Sequence, residues 1–306
     1  MTNVTVLGGG IIGLTAAVRL QERGARVTVV ADRHALDTVS AVAAAVWYPT
    51  HTDGGERVLR WATRTRAELL AQARARVPGV LLRDTRMLLR TPIGEPPWWA
   101  PGDASLTSAP EPYAQQLRFA APLAEMDVYL PWLQHRIVAA GGRFVHRRVT
   151  RPEDLLAETP VVVHATGLAA ADPAMVPVRG QIVLVPNPGL RESVRDEDSP
   201  AGITYVHPRR HDVVLGGTFE EGRADLTPDA ASRAAIVRRC TALVPELAGT
   251  PVYGDRIGIR PARRGGPRVA AEEVAGGRVV HAYGHGGAGV TLSWGCADEV
   301  ADLALA

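Results

Sequence analysis

The chain has 306 residues, with 34 basic and 32 acidic side chains, a formal net charge of +2, 46% hydrophobic residues and two cysteines. That length suits one large domain or two interleaved ones with a substantial core, while two cysteines exclude a disulfide scaffold and a four-cysteine zinc site. Every basic residue is an arginine, so chemistry that needs a lysine amine is excluded: Schiff-base enzymes, Walker A loops and protein kinases.

The apolar runs fall far short of the ~20 residues that span a bilayer. The start, MTNVTVLGGG, has no basic region before its apolar stretch and reads as a first strand, not a signal peptide. Charge is spread along the chain and leaves no nucleic-acid footprint. The expectation is a soluble, cytoplasmic protein without nucleic-acid or membrane partners.

In chain order, Val4 to Leu7 is a short apolar strand, followed by Gly8-Gly9-Gly10-Ile11-Ile12-Gly13 and a helical pattern from Leu14 to Arg23. Gly24 ends that helix and Arg26 to Val30 is a second strand, with Asp32 just beyond it. This is the βαβ start of a dinucleotide fold. Gly8 allows the tight turn, Gly10 lets backbone approach a pyrophosphate, and Gly13 lets helix pack on strand. The helix N-terminus offers N–H groups and positive potential to phosphates. Asp32, about 20 residues past the last glycine, suits a ribose hydroxyl.

Further on, a small-residue run from Ser40 to Val46 leads into Trp47-Tyr48-Pro49, and Arg57 to Ala75 reads as a helix. Residues 91 to 122, rich in proline and polar side chains, read as a long irregular excursion. Asp127 to Ala140 reads as a helix and Arg143 to Val149 as a strand. Pro160 to His164 reads as a buried parallel strand, and Ala165-Thr166-Gly167 lets a ligand approach its carboxyl end. From residue 178 the pattern turns to strands of a second, mainly antiparallel sheet, with a helix from Thr227 to Leu243. Strands at 253 to 263 and 278 to 283 precede a second glycine-rich loop, Gly284 to Gly289, and a closing helix from Val290 to Leu305.

The expected fold is α/β: a Rossmann-like dinucleotide-binding domain (1–75, 141–178 and 250–306) interleaved with a second domain on a mainly antiparallel sheet (76–140 and 179–249), which the family resemblance below implies are the FAD-binding and substrate domains. The second glycine loop favours FAD over NAD(P), because a helix N-terminus there stabilises the negative charge that builds at flavin N1 and O2 on reduction. The Thr291 hydroxyl is positioned to add a hydrogen bond.

GGGIIGL at 8–14, ADR at 31–33, ATG at 165–167, RGQIV at 179–183, ITYVHPR at 203–209, VVLGGT at 213–218, GIRPAR at 258–263 and HAYGHGGAGVTLSWGCA at 281–297 together resemble the D-amino-acid oxidase family, over nearly the whole chain. The resemblance implies non-covalent FAD, a D-amino acid and oxygen as small-molecule partners, and a 2-oxo acid, ammonia and hydrogen peroxide as products. It leaves a homodimer open. Arg260 matches the family arginine that grips the substrate carboxylate, Tyr205 the tyrosine that also bonds it, and the Gly287 carbonyl the acceptor for the substrate amine. No residue is required as acid or base. By the same resemblance the cofactor falls to Gly8, Gly10, Ile11, Ile12, Gly13, Asp32, Arg33, Thr38, Ser40, Ala44, Ala45, Val149, Thr166, Gly167, Arg260, Gly286, Gly287, Gly289, Val290 and Thr291. Trp47, Tyr48, Thr50 and His51 are expected to line the pocket.

Two departures bear on the substrate. Family members that favour neutral D-amino acids often carry a second tyrosine shortly before Tyr205, where this chain has Ser199-Pro200-Ala201-Gly202. VYLPWLQHRI and the GITYVHP context also resemble D-aspartate oxidases, yet Phe219 stands where such an enzyme would carry arginine; His51 or Arg195 would have to substitute. Neutral substrates are therefore favoured, with D-aspartate the alternative. His281 and His285 are four apart with no acidic partner in their loop, so no metal is expected. Cys296 reads as helix packing and not as a flavin tether, and a Cys240–Cys296 approach is left open.

Overall fold

The computed structural model describes residues 1–49, 55–196 and 198–306. Two sheets organise the chain. The first has six strands, in the order Arg268–Val274, Gly277–Tyr283, Val161–His164, Asn3–Leu7, Arg26–Ala31 and Arg143–His146. Its pairings are parallel except for the hairpin of the first two. Asn3–Leu7 lies inside, flanked on both sides, and its Val4-to-Leu7 stretch is buried, as expected for a parallel strand covered on both faces. The helices Ile11–Glu22, Glu56–Arg74, Met126–Ala139 and Gly289–Leu305 share one large core with this sheet, while Leu7, Val30, Leu155, Leu156, Val162 and Val279 form a smaller cluster.

The second sheet has nine strands and is mainly antiparallel. Its longest member, Met175–Pro186, takes Gly254–Arg263 along one edge, with Met175 opposite Arg263 and Leu184 opposite Gly254. Asp212–Gly216 and Glu220–Glu221 occupy its other edge. The helix Ala230–Leu243 packs on this sheet through Ile236 and Cys240. Asp229 caps it by accepting from the Ala231 N–H at 3.0 Å, which satisfies a donor that the helix itself cannot.

Several expectations shift. Gly254–Arg263, assigned above to the FAD-binding part, pairs over its whole length within the second sheet. The first helix begins at Ile11, not Leu14, and the helix expected from Thr227 begins at Ala230. Residues 91 to 122 are not wholly irregular: Ser105–Ser108 and most of Gln115–Ala124 are strands there. Trp99 anchors the excursion, 5% exposed, with edge contacts to Trp47, Tyr48 and Phe119. The strand Val80–Leu89 was not foreseen, because charges at Arg83, Asp84 and Arg86 interrupt its apolar pattern. Those charges sit on an interior strand that pairs with both Gln115–Ala124 and Ser193–Asp196.

One carboxylate links the two sheets. Asp172 accepts from Arg263 Nε at 2.8 Å, on the second sheet, and from the Tyr283 hydroxyl at 3.2 Å, on the first. The Arg263 hydrogen bond, then the Ala174 N–H, holds Asp172 well below the usual carboxylate value of 3.8, at about 2. A depressed folded-state value stabilises the fold fully above the unfolded value, and that contribution disappears as pH falls toward the folded one. The urea midpoint of the wild type is therefore expected to drop between pH 3.8 and about 2, and Asp172→Asn should flatten that part of the profile. Parallel profiles for the two proteins would remove Asp172 from the linkage.

Candidate active site

The two sheets meet around one cavity of about 1020 Å³. At one end, Asn3–Leu7 delivers the first glycine loop. Gly8 has φ of +128°, and a Cβ there would sit 2.3 Å from the Ala165 carbonyl oxygen; a Cβ at Gly13 would sit 2.0 Å from the Gly8 oxygen. The loop is glycine because strand, loop and helix are in backbone contact. Gly8, Gly10, Ile11, Ile12, Asp32, Arg33, Thr38, Ser40, Ala44, Ala45, Val149, Thr166 and Gly167 line the cavity. Gly286, Gly287, Gly289, Val290 and Thr291 line it from the second glycine loop, together with Tyr205 and Arg260. The helices starting at Ile11 and Gly289 thus both begin at this cavity, and their dipoles favour anionic groups within it.

Some assignments change. Gly13, expected at the cofactor, is absent from the lining, and its close contact with the Gly8 backbone lets the helix pack on the strand. The Ile11 N–H is already taken by Ser40 Oγ at 3.0 Å, so Ser40 caps the helix as well as lining the cavity. Thr291 is engaged with the Tyr48 backbone, its Oγ1 accepting from the Tyr48 N–H at 3.2 Å. Trp47, expected in the pocket, is turned into the core and donates to the Ala62 carbonyl at 2.9 Å. Tyr48 does line the cavity, whereas Thr50 and His51 lie outside the described residues.

Arg260 stands on Gly254–Arg263 and reaches across its partner strand. Its Nη1 donates to the carbonyls of Arg179 at 3.3 Å and Thr218 at 3.2 Å, and its guanidinium carbon is 5.6 Å from the centre of the Phe219 ring. Gly180 provides the space: a Cβ there would lie 2.4–2.5 Å from the guanidinium atoms. Gly216 does the same for Tyr205, whose ring would be 1.9 Å from a Cβ at that position. Tyr205 also stacks on His207, ring centres 4.7 Å apart. The local motifs RGQIV and VVLGGT do not themselves call for Gly180 and Gly216, because the need arises only when two strands meet.

Other features lay beyond local reading. His207, 2% exposed, lines the cavity beneath Tyr205, and burial keeps it neutral by pushing its titration well below the ordinary value. Arg195 also lines the cavity, with its guanidinium carbon 3.2 Å from the centre of the Tyr48 ring. His281, read above as lacking an acidic neighbour, does have one: its Nε2 lies 3.0 Å from Glu272 Oε2 on the adjacent strand. His285 instead faces Cys296 Sγ at 3.3 Å. Cys240 and Cys296 are both free and buried; Cys240 sits under the Tyr205 carbonyl, and burial pushes its thiol up to about 12.

A dinucleotide fits this lining. The cavity runs from a βαβ glycine loop and the carboxylate Asp32 to a second glycine turn beside a cationic pocket, and two helix N-termini supply the potential that a pyrophosphate and a reduced flavin both require. The fold and site thus define an FAD-type dinucleotide-binding oxidoreductase. The profile of the FAD dependent oxidoreductase (DAO) family matches residues 3–303, so the chain belongs to that family, and FAD is its cofactor. The chain is 45% identical to a D-amino-acid oxidase of Rubrobacter xylanophilus, over 99% of this chain and 96% of that protein. It is 35% identical to a D-aspartate oxidase of Homo sapiens, over 98% and 94%. Among solved structures it is similar to glycine oxidase from Geobacillus kaustophilus, with a TM-score of 0.82 at 21% identity, covering 100% of this chain and 95% of that one.

Gly180→Ala tests the close approach without touching any charge. The added methyl group should displace the guanidinium and lower kcat/KM by about 10²-fold, the usual cost of an ångström-scale misplacement, while FAD content and melting temperature stay near wild type. Wild-type kinetics in this variant would show that Arg260 does not need the glycine floor.

Proposed function

We propose that the protein oxidises neutral D-amino acids to 2-oxo acids, with release of ammonia and formation of hydrogen peroxide from oxygen. The observation that carries this reading is a single cavity holding both dinucleotide-type glycine loops and a backbone-anchored arginine next to a tyrosine. The naming of the relative at 45% identity supports it over the D-aspartate alternative, whose named relative is at 35%. Phe219 in the lining supports a neutral side chain.

In this reading Arg260 holds the substrate carboxylate through its planar fork, for which a guanidinium is suited and an ammonium is not. The Tyr205 hydroxyl adds a second hydrogen bond to the carboxylate. The Gly287 carbonyl accepts from the amine and so orients Cα. Bound FAD supplies a hydride acceptor at N5 and a route for the electron pair to oxygen. The amine enters or becomes neutral by losing its proton to solvent, so the side chains need only position the substrate. The imino acid formed then takes up water and releases ammonia. The cofactor residues named above that line the cavity hold FAD, the six-stranded part carrying the nucleotide and the nine-stranded part the substrate. Among the described residues no helix is long and apolar enough to cross a membrane; a cytoplasmic location and a homodimer complete the proposal.

Two measurements decide it. Anaerobic mixing of the holoprotein with D-alanine, D-valine, D-phenylalanine and D-aspartate, followed through the visible flavin absorbance, should show bleaching by the neutral substrates. Because Arg195 lines the cavity, D-aspartate is the informative comparison, and bleaching by it alone would reverse the assignment. Arg260→Ala should lower kcat/KM by about 10²- to 10⁴-fold, the worth of two charge-assisted hydrogen bonds, with FAD still bound. Undiminished turnover would remove Arg260 from substrate binding.

A further inference from the structure

We propose that Glu272, His281 and His164 are positioning residues for the cofactor: a hydrogen-bonded relay that fixes the Thr166 hydroxyl as an acceptor toward the FAD cavity. The inference rests on the reading above in which Thr166 meets the cofactor. Four groups on three strands and a strand end form an unbroken line. Glu272 Oε2 is 3.0 Å from His281 Nε2, His281 Nδ1 is 3.4 Å from His164 Nδ1, and His164 Nε2 is 2.9 Å from Thr166 Oγ1. The outer end is half exposed at Glu272 and the inner end lines the cavity. Both imidazoles are buried, at 6% and 7% exposure, and face each other across paired strands.

The order of donors follows from the outer carboxylate. An ionised carboxylate only accepts, so His281 Nε2 carries the proton. Neutral His281 then has a bare Nδ1, which can only accept, and His164 must carry its proton on Nδ1. Its bare Nε2 accepts from the Thr166 hydroxyl. The Thr166 proton is thereby directed away from the cavity, and its lone pairs are left for a donor such as a ribityl or ribose hydroxyl. The direction of the His281–His164 and His164–Thr166 links needs neutral imidazoles. Burial, aided by the positive charge of Arg268, lowers the titration of His281, while burial and then His281 push His164 down to about 4. The other groups around the pair leave the line intact: Arg268 bonds Glu272 at 2.9 Å and the Tyr283 hydroxyl at 3.1 Å, the Tyr283 ring packs against both histidines, and that hydroxyl reaches Asp172. Glu153 is the further carboxylate close enough to act on His164.

The tautomers are directly observable. In holoprotein labelled with ¹⁵N-histidine, near neutral pH, long-range proton–nitrogen correlation should show His281 as the Nε2–H form and His164 as the Nδ1–H form, which is the rarer tautomer in water. His164→Asn and His281→Asn assign the two signals. Finding His164 as Nε2–H would overturn the relay. The second arm titrates apoprotein with FAD. Glu272→Ala should weaken FAD binding about 3- to 10-fold, the worth of one oriented hydrogen bond, and should have no such effect in a Thr166→Val background. Equal weakening in both backgrounds would mean a general structural effect and would sink the proposal, as would unchanged FAD affinity in Thr166→Val alone. Neither arm uses a substrate, so failure of the D-amino-acid reading would leave the relay result standing.

Discussion

The pairing of Met175–Pro186 with Gly254–Arg263 is the constraint from which the site follows. These strands are far apart in sequence, yet they pair from Met175–Arg263 to Leu184–Gly254. The first leaves the six-stranded sheet after Gly167 and the second returns the chain to it before Arg268. Their register sets which side chains reach the cavity. It puts Gly258 opposite Gly180 and Arg260 opposite Val178, so the guanidinium crosses a backbone that carries no side chain. A one-residue slip would turn Arg260 to the other face of the sheet.

An arginine held this way is preorganised. Two backbone carbonyls accept from Nη1, and less side-chain freedom is left to lose when a carboxylate arrives. Behind it, Arg179 is fully buried and satisfied by Glu220 at 2.5 Å and by the carbonyls of Asp225 and Thr227. A buried cation with complete partners is tolerated, whereas losing one partner would be costly. Both arginines present a planar fork able to meet several acceptors at once.

The electrostatics of the cavity come mainly from fixed groups. Two helix N-termini and the guanidinium groups of Arg260 and Arg195 are among the sources of positive potential, and the nearby imidazoles are kept neutral by burial. His285 is pushed down to about 4 and faces a thiol that burial pushes up. Groups that do not change charge near neutral pH hold a constant field across the cavity.

By itself the sequence determined the features that local backbone chemistry encodes. The βαβ start, both glycine loops, the strand ending in Ala165-Thr166-Gly167, and Arg260 and Tyr205 in long motifs were all legible, since a tight turn or a helix start needs particular residues at particular spacings. Tertiary structure alone decided what distant segments do to one another. It turned Trp47 into the core and brought the Gly13 and Gly8 backbones into contact. It made Gly180 and Gly216 the floors beneath Arg260 and Tyr205, and it brought Glu272 to His281 across a hairpin. Strand register and the close approach of separate strands arise from packing between residues far apart in the chain, and no local period records them.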